Sequence, residues 1–411
     1  MQEENLLSLS YGRIIRKDID AAEGLLPESF ETYQIVEPGN IVMRLTDLQN
    51  DKRSLRQGLV NERGIITSAY DALEVGKDHD ARFWAYSLLA LDLAKYYYSL
   101  GGGVRQSIKF ADFPNDWIAS PGPATQEAIA DFLDRETTHI DQLIQKKLWL
   151  AELLNVTIIA APLRVMASGI GQVGYDAERS RVTFSNLAEG WRRVRVKQVA
   201  SHMTSGSRGW SDFIQDQGEL FLQSGSIDRH MGVSFEDSQR VRPQSGAEAE
   251  RTKVSNGDTL VCITGGRTGA VGYVSGLCER AYINQHICLI RPSKAISSRL
   301  LAQILFSEIG QLHFQMAQYG LKQGMGFEQV ANTAIPLPPR EAQDKISSEI
   351  DHRAAKTRRV AEEISASIDR LHEFRSALIT AAVTGQIDVA TWSKRGTTDR
   401  RLDAIQREVA S

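Results

Sequence analysis

Two long segments of the chain place apolar residues at alternating intervals of three and four, a pattern typical of helices that pack along a shared seam. The seam positions of the first segment are Ile129, Leu133, Glu136, Ile140, Leu143, Lys147, Leu150 and Leu154. Those of the second segment are Ile346, Ile350, Arg353, Thr357, Val360, Ile364, Ser367, Leu371, Phe374 and Leu378. Because each pattern outlasts an ordinary globular helix, we expect two long helices that bury each other as an antiparallel pair. The alternative is two surface helices that pack only on their own domains.

The two seams belong to an internal repeat in which equivalent residues are 217 positions apart. The offset relates VRQSIKF at 104–110 to LKQGMGF at 321–327, and Gln126 to Gln343; farther upstream it is 218, between VEPGNIV and VSNGDTLV. Each copy has a β-rich region, a helix, a glycine-containing turn, a proline-rich joint and then the long helix. Proline removes a backbone donor and disfavours helix at the residue before it, so each joint marks the end of a globular part.

The repeat divides the chain into globular and helical parts. We assign 1–120 to a first globular domain, 121–161 to the first long helix, 162–190 to a linker, 191–338 to a second globular domain, 339–385 to the second long helix and 386–411 to a tail. The first helix is expected to end near Ala160, because Pro162 interrupts it. The segment that opens the second copy at Trp191 has no counterpart before Val36, so the first domain is expected to lack its opening strand.

Charge and composition narrow the class of protein. No apolar run approaches the length of a membrane span, and the acidic N-terminus is unlike a signal peptide, so we expect a cytoplasmic protein. The formal net charge of −3 gives no overall indication of nucleic-acid binding. The distribution is uneven, however: 191–338 has 16 Lys and Arg against 12 Asp and Glu, whereas 1–120 has 13 against 18. Contacts with phosphate are therefore expected mainly from the second half.

The sequence shows none of the usual catalytic or metal-binding constellations. Cys262, Cys278 and Cys288 lack metal-site spacing and are expected to be small buried strand residues, while His286 lies on a β pattern and no metal is proposed. The glycine-rich segment 264–269 lacks the Lys-Ser/Thr ending of a nucleotide-binding loop and no helical pattern follows it. It is expected to form a hairpin turn or to approach DNA closely.

Three segments resemble one protein family. They are DFLDRETTHIDQLIQKK at 131–147, IPLPPREAQDKI at 335–346 and RSALITAAVTGQIDV at 375–389, and together with the duplicated order they are similar to the specificity subunit of type I restriction-modification enzymes. The resemblance implies a mixed α/β fold of two target-recognition domains joined by two antiparallel coiled-coil helices, with pseudo-twofold symmetry.

The resemblance also implies a function and partners. The chain would read a bipartite DNA target without catalytic residues of its own. It would direct two copies of an adenine-N6 methyltransferase subunit, and in the full enzyme a restriction subunit, to that target. No cofactor is expected on this chain, since S-adenosylmethionine and ATP with Mg²⁺ would bind the partner subunits.

Candidate DNA-contacting residues are cations that stand among polar residues or beside glycines, because arginine pairs bidentately with guanine and binds phosphate. They are Lys52, Arg53, Arg56, Arg63, Arg105, Lys109, Arg208, Arg267 and Lys322. The alternatives are solvated loops and, around Phe110 and Phe327, structural corners. Two other functions stay open: a scaffold that binds the methyltransferase but reads only one half-site, and a stand-alone enzyme.

Overall fold

The computed structural model describes residues 5–10, 12–17, 30–46, 48, 55–100, 107–113, 117–179, 181–236, 238–318 and 324–392. The fold is mixed α/β, as predicted, and divides into two compact units. The first unit comprises Met1–Leu148 and Ala366–Ser411, and the second comprises Trp149–Ser365. Each long helix therefore contributes residues to both units.

The elements of the first unit include several short strands and two helices that precede the first long helix. They are β1 (Leu7–Ser10), β2 (Arg13–Arg16), β3 (Gln34–Val36), β4 (Ile41–Met43), β5 (Gln57–Leu59), β6 (Gly64–Ile66), β7 (Asp71–Leu73), α1 (Ala81–Leu93), α2 (Tyr96–Leu100) and the start of α3 (Pro123–Ile170). Strand β4 is central in the sheet β5-β4-β7, and β1 pairs with β2 and β3 with β6, all antiparallel.

The second unit follows the same order with more strands. Its elements are β8 (Val173–Asp176), β9 (Arg181–Phe184), β10 (Arg192–Arg195), α4 (Val196–Val199), β11 (Ala200–Ser205), β12 (Ile214–Gln215), β13 (Glu219–Leu222), β14 (Gln239–Val241), α5 (Ala247–Thr252), β15 (Thr259–Cys262), β16 (Val271–Tyr273), β17 (Ala281–Ile283), β18 (Ile287–Pro292), α6 (Ser298–Phe306), α7 (Glu308–Ala317), α8 (Phe327–Asn332), β19 (Ala334–Leu337) and α9 (Arg340–Val383). The strand orders are β11-β18-β15-β16, β12-β14-β13-β17, β10-β19 and β8-β9.

The sheets of the two units are built on the same plan. In the first, β4 lies between β5 and β7; in the second, β15 lies between β16 and β18. Gly39 and Gly257 precede these central strands and both have φ near +92°, which an L side chain rarely adopts. Beyond β18 the second unit adds β11, whereas β7 has no second neighbour among the residues described. The predicted absence of an opening strand stays a prediction, because 1–4 and 18–29 lie outside those residues.

A buried glutamine joins the globular part to the long helix in each unit. In the first, Gln126 accepts the backbone N–H of Asp80 at 3.0 Å and donates to the carbonyl of Pro121 at 2.8 Å. In the second, Gln343 accepts the N–H of Ser297 at 2.7 Å and donates to the carbonyls of Pro338 and Ala295 at 3.1 and 3.0 Å. The offset of 217 thus corresponds to equivalent hydrogen bonds, and the glutamine fixes where the helix leaves the proline joint.

An arginine on the short helix of each unit makes a second equivalent contact. Arg82 on α1 donates to Asp131 and Asp134 of α3 at 2.7 and 3.0 Å, and Arg299 on α6 donates to Asp351 of α9 at 2.8 Å. Arg82 and Arg299 are also 217 residues apart, as are Asp134 and Asp351. The repeat therefore extends to the side chains that orient each helix on its sheet.

The two long helices run antiparallel within each unit, as predicted. In the first unit early residues of α3, such as Leu133 and Ile140, share a core with Ile379 and Ala382 near the end of α9. In the second unit the order is reversed: Met166 and Ile170 at the end of α3 share a core with Ile350 near the start of α9. The middle of the predicted seam is less buried, since Leu150 and Val360 are each 42% exposed.

The first long helix departs from the prediction at its C-terminal end. It continues through Pro162 to Ile170, so the expected end near Ala160 was wrong. Proline costs about 3 kcal/mol inside a helix, but the turns beyond it bury Met166 and Ile170 in the core. The segment 162–190 is therefore no simple linker: it holds these last turns and the hairpin β8–β9, whose Val182 is fully buried.

The same helix corrects the expectation about membrane spans. α3 is long and apolar enough, by length and composition, to cross a membrane, and 33% of its most apolar stretch is buried inside the protein. Core helices of soluble proteins satisfy the same criterion, so this is weak evidence for a span. Part of the stretch is an exposed apolar surface.

Candidate nucleic-acid interface

The glycine-rich segment 264–269 is the hairpin turn predicted from the sequence. It connects β15 to β16, and Gly265 and Gly269 both have φ near +92°. The Thr268 N–H donates to the carbonyl of Gly265 at 3.0 Å, which closes the turn. A strand and not a helix follows, so the segment lacks the helix N-terminus on which phosphate-binding loops depend.

Arg267 stands on this turn, where its guanidinium is both positioned and accessible. Nη1 donates to the carbonyl of Ile227 and, at 3.3 Å, to that of Ser224, while the residue remains exposed. Guanidinium has five N–H donors, so two carbonyl contacts leave capacity for a base edge or a phosphate. The turn borders a groove of 850 Å³ in the second unit that is also lined by Arg229 and His230.

Arg208 lies at a separate turn of the second unit. It follows β11 and is exposed, next to Gly209, whose φ is near +79°, and to the buried Trp210. The buried indole and the glycine fix the course of the backbone, so the arginine side chain projects from a defined position into solvent.

Arg56 corrects the sequence interpretation of the first unit. Its side chain is fully buried, with Nη1 donating to the carbonyl of Thr46 at 3.0 Å and the guanidinium over the ring of Tyr98. A guanidinium enclosed in this way cannot reach DNA without leaving its site. The contact with DNA expected for Arg56 is therefore wrong in this structure, and the guanidinium instead holds the carbonyl of Thr46.

Two other candidates of the first unit are exposed. Arg63 forms an ion pair with Glu37, and both side chains are about half exposed. Lys109 is exposed just before the short 3-10 helix Phe110–Asp112, and its backbone N–H donates to Asp112 at 2.8 Å. Phe110 is half-buried at this corner, which supports the structural alternative for the turn. The Lys109 side chain nevertheless remains accessible to solvent.

Four candidates lie outside the described residues: Lys52, Arg53, Arg105 and Lys322. Of the described candidates, Arg267 and Arg208 occupy different turns of the second unit, and Arg63 and Lys109 belong to the first.

The cysteines and His286 also differ in part from expectation. Cys262 and Cys288 are buried in β15 and β18, as predicted, and burial raises the pKa of Cys262 and raises that of Cys288 to about 12. Both therefore remain thiols at neutral pH. Cys278 is exposed between β16 and β17, so its expected burial was wrong. His286 lies in the turn between β17 and β18, hydrogen-bonded to Thr264, and not on a strand.

Sequence reasoning missed an exposed apolar surface on α3, which we call the α3 stripe. It consists of Trp149, Leu153, Val156 and Ile159, which are 67%, 42%, 54% and 38% exposed. Positions spaced by three and four lie on one face of a helix, so these side chains form a continuous surface. The unusually apolar run at 148–162 could have predicted this surface. The seam pattern instead attributed part of the run, including Leu150 and Leu154, to the contact between the two long helices.

The comparisons with known proteins concern both sequence and fold. Residues 242–369 match the family described as the type I restriction modification DNA specificity domain. No curated protein matches the sequence. A chain from a structure titled for complex assembly and conformational transition of the type I R-M system is similar in fold, with 14% identity and a TM-score of 0.65; the similarity covers 87% of this chain and 84% of that one.

Two further structures are similar at lower scores. The HsdS subunit from Thermoanaerobacter tengcongensis has 15% identity and a TM-score of 0.45, with 88% of this chain and 84% of that chain covered. The type I restriction-modification S subunit from M. genitalium has 13% identity and a TM-score of 0.36, with 92% and 93% covered. At 14% identity, the first similarity shows a shared fold.

Proposed function

Because residues 242–369 match the type I restriction modification DNA specificity domain, we propose that the chain is the DNA-recognition subunit of such a system and reads a bipartite target. The observation that carries the proposal is the structural repeat. Each unit attaches its sheet to a long helix through the same buried glutamine and the same arginine–aspartate contact. Two equivalent units imply two half-sites, with unread sequence between them.

The contacts with DNA come from cations held at turns. Arg267 is oriented by two backbone carbonyls, and an oriented guanidinium can pair bidentately with guanine or bind a phosphate. Arg208 is the second contact of this unit, and Arg63 and Lys109 are those of the first. Lys52, Arg53, Arg105 and Lys322 remain proposed contacts on sequence grounds.

Catalysis belongs to partner subunits in this proposal. An adenine-N6 methyltransferase, in two copies and carrying S-adenosylmethionine, would dock on the α3 stripe, because an exposed apolar surface of this kind marks a protein interface. A restriction subunit using ATP and Mg²⁺ would join the full enzyme. The complex would act in the cytoplasm, where its DNA lies.

The test uses the chain purified together with its methyltransferase subunit and with S-adenosylmethionine as methyl donor. We expect methylation of one bipartite sequence, lost when bases of either half-site are changed. Methylation by the chain without partner would contradict the proposal and favour an enzyme. Dependence on one half-site only would favour the alternative scaffold function, and the first unit has the smaller central sheet among the described residues.

Arg267→Gln sharpens the same test at one residue. It should reduce discrimination at one position of one half-site by about 1–3 kcal/mol if Arg267 reads a base. Arg280→Gln is the matched control, since Arg280 is an exposed arginine of the same unit whose partner is Glu219. Equal effects of the two substitutions would exclude base reading by Arg267.

A further inference from the structure

A second basic surface of the second unit lies apart from the turns considered above. It is a groove of 710 Å³ between the hairpin β8–β9, strand β10 and helices α7 and α8, which we call the arginine groove. Its charged lining consists of four arginines and one carboxylate: Arg179, Arg181, Arg193, Arg195 and Glu328. None of these arginines was singled out from the sequence, and none lies on a turn proposed to read bases.

Arg193 and Arg195 project from one side of β10. Residues two apart on a strand face the same way, and β10 pairs with β19 so that Arg193 lies opposite Pro336 and Arg195 opposite Ala334. Both arginines are exposed, and within the described ranges neither forms an ion pair. Arg195 donates to the side-chain oxygen of Asn332 at 3.4 Å, a long bond that orients the guanidinium without neutralising it.

Arg179 and Arg181 share a single carboxylate on the opposite wall. Nη1 of Arg179 lies 3.2 Å from Asp176, while Nε of Arg181 lies 3.6 Å from it, beyond hydrogen-bonding distance. Hydrogen bonds from the backbone N–H and then the side chain of Arg179 lower the pKa of Asp176, so this carboxylate is charged at neutral pH. Nε of Arg181 is buried and has no hydrogen-bond partner, and a buried donor left in this state is costly.

The balance of charge and donor type indicates an anion. Four guanidinium groups face two carboxylates, Glu328 and the neighbouring Asp176, and the remaining polar groups are uncharged; they include the amides of Gln198 and Asn332. The cations are all arginines, whose planar donor forks fit phosphate oxygens bidentately. Nε of Arg181 adds a donor that makes no hydrogen bond within the protein, although Asp176 lies 3.6 Å away.

We propose that the arginine groove binds the phosphodiester backbone of DNA and positions the duplex without reading its sequence. This inference rests on the proposed function and adds to it a contact surface outside the base-reading turns. Phosphate contacts set register and orientation on DNA, whereas base contacts specify sequence. A strand and a hairpin are more rigid supports than a protruding loop, which suits a positioning contact.

The experiment measures DNA binding by the complex with the methyltransferase subunit over a range of KCl concentrations. The double variant Arg193→Gln, Arg195→Gln should make the negative slope of log K against log salt less steep by about 2. Each phosphate contact contributes about 0.9 to the magnitude of this slope. Affinity should fall by the same factor for target and non-target DNA. The matched control is Arg164→Gln with Arg340→Gln, two exposed arginines of the same unit outside the groove, which should leave the slope unchanged.

A charge-preserving variant separates binding from structure. Arg193→Lys with Arg195→Lys should restore most of the salt slope, because lysine keeps the charge although it loses the fork. If it behaved like the glutamine variant while thermal unfolding also changed, the arginines would be structural and the proposal would fail.

The remaining outcomes distinguish other ligands. An unchanged slope with target-specific methylation intact would overturn the groove and leave the proposed function standing. Loss of the methyltransferase from the complex with unchanged DNA slope would indicate an acidic protein surface as the ligand. Binding of inorganic phosphate by the wild type but not the glutamine variant, again with unchanged slope, would indicate a free-anion site; both results overturn the proposal.

Discussion

At the scale of single residues, the attachment of each long helix depends on a buried glutamine whose side-chain oxygen and nitrogen are both hydrogen-bonded. Gln343 is 1% exposed and satisfies one backbone N–H and two carbonyls at the point where the second globular part meets α9. Leaving a buried polar group without a hydrogen-bond partner lowers the stability of the fold. These hydrogen bonds explain why a short chain segment can hold a long helix at a set position.

Gln343→Ala should therefore destabilise the second unit. Three backbone groups lose their partner, so we expect a decrease of about 1–3 kcal/mol in the free energy of unfolding, measured by urea denaturation. Gln386→Ala is the control, because Gln386 is exposed beyond α9 and its backbone hydrogen bond is kept; its effect should stay within about 0.5 kcal/mol. Equal effects would mean that water replaces the glutamine.

Sequence reasoning at this scale succeeded for repeated residues and failed for Arg56. The offset between Gln126 and Gln343 was visible because both copies keep it. Arg56 lies among polar neighbours in sequence, but the contacts that bury it, to Thr46 and Tyr98, come from a loop and a helix end that no local pattern connects to it. Whether a single cation is exposed depends on its tertiary contacts. The composition of the neighbouring sequence does not reveal those contacts.

At the scale of elements, α3 has one buried and one exposed apolar face. Met166 is 1% exposed in the core of the second unit, whereas Trp149 and Leu153 are exposed on the α3 stripe. The first face holds the unit together. The second has no such role within the described part of the unit and is available to a partner.

The double variant Trp149→Gln, Leu153→Gln should lose the methyltransferase subunit and keep its fold. Apolar contact area disappears from the interface, so we expect loss of co-purification with an unchanged unfolding curve. Met166→Ala should show the opposite pattern. The cavity that it leaves in the core should lower the free energy of unfolding by about 2–5 kcal/mol, while the folded fraction still binds the methyltransferase subunit. Retention of the methyltransferase by the stripe variant would place docking elsewhere.

The elements themselves were partly predictable. The seam pattern gave two long antiparallel helices, and the two copies gave equivalent sheets, because periodicity reports directly on buried faces. The predicted end of α3 was wrong, since the helix-breaking effect of Pro162 is local in sequence. The burial of Met166 and Ile170 in the core, which offsets it, depends on tertiary packing. The hairpin β8–β9 was missed although Val182 and Phe184 alternate with polar residues, because the segment was too short to be separated from a linker.

At the scale of the whole molecule, the proposed function makes the long helices a spacer between two recognition units. A helix rises 1.5 Å per residue, so seven residues inserted near the middle of each would add about 10 Å and keep the seam in register. The preferred gap in the methylated sequence should then lengthen, by about three base pairs on straight DNA, as read by mapping N6-methyladenine. Inserting four residues breaks the register and is the control, expected to abolish methylation. An unchanged gap after the seven-residue insertion would contradict the spacer.

The outer edge of β7 has a consequence for how the chain behaves in solution. Among the described residues β7 pairs only with β4, so the backbone N–H and carbonyl groups on its other side face no strand there, whereas β11 covers the matching edge of β18. An uncovered edge recruits extended segments from other molecules, and acidic residues at Asp71 and Glu74 repel such pairing. Concentrated preparations should thus self-associate through the first unit.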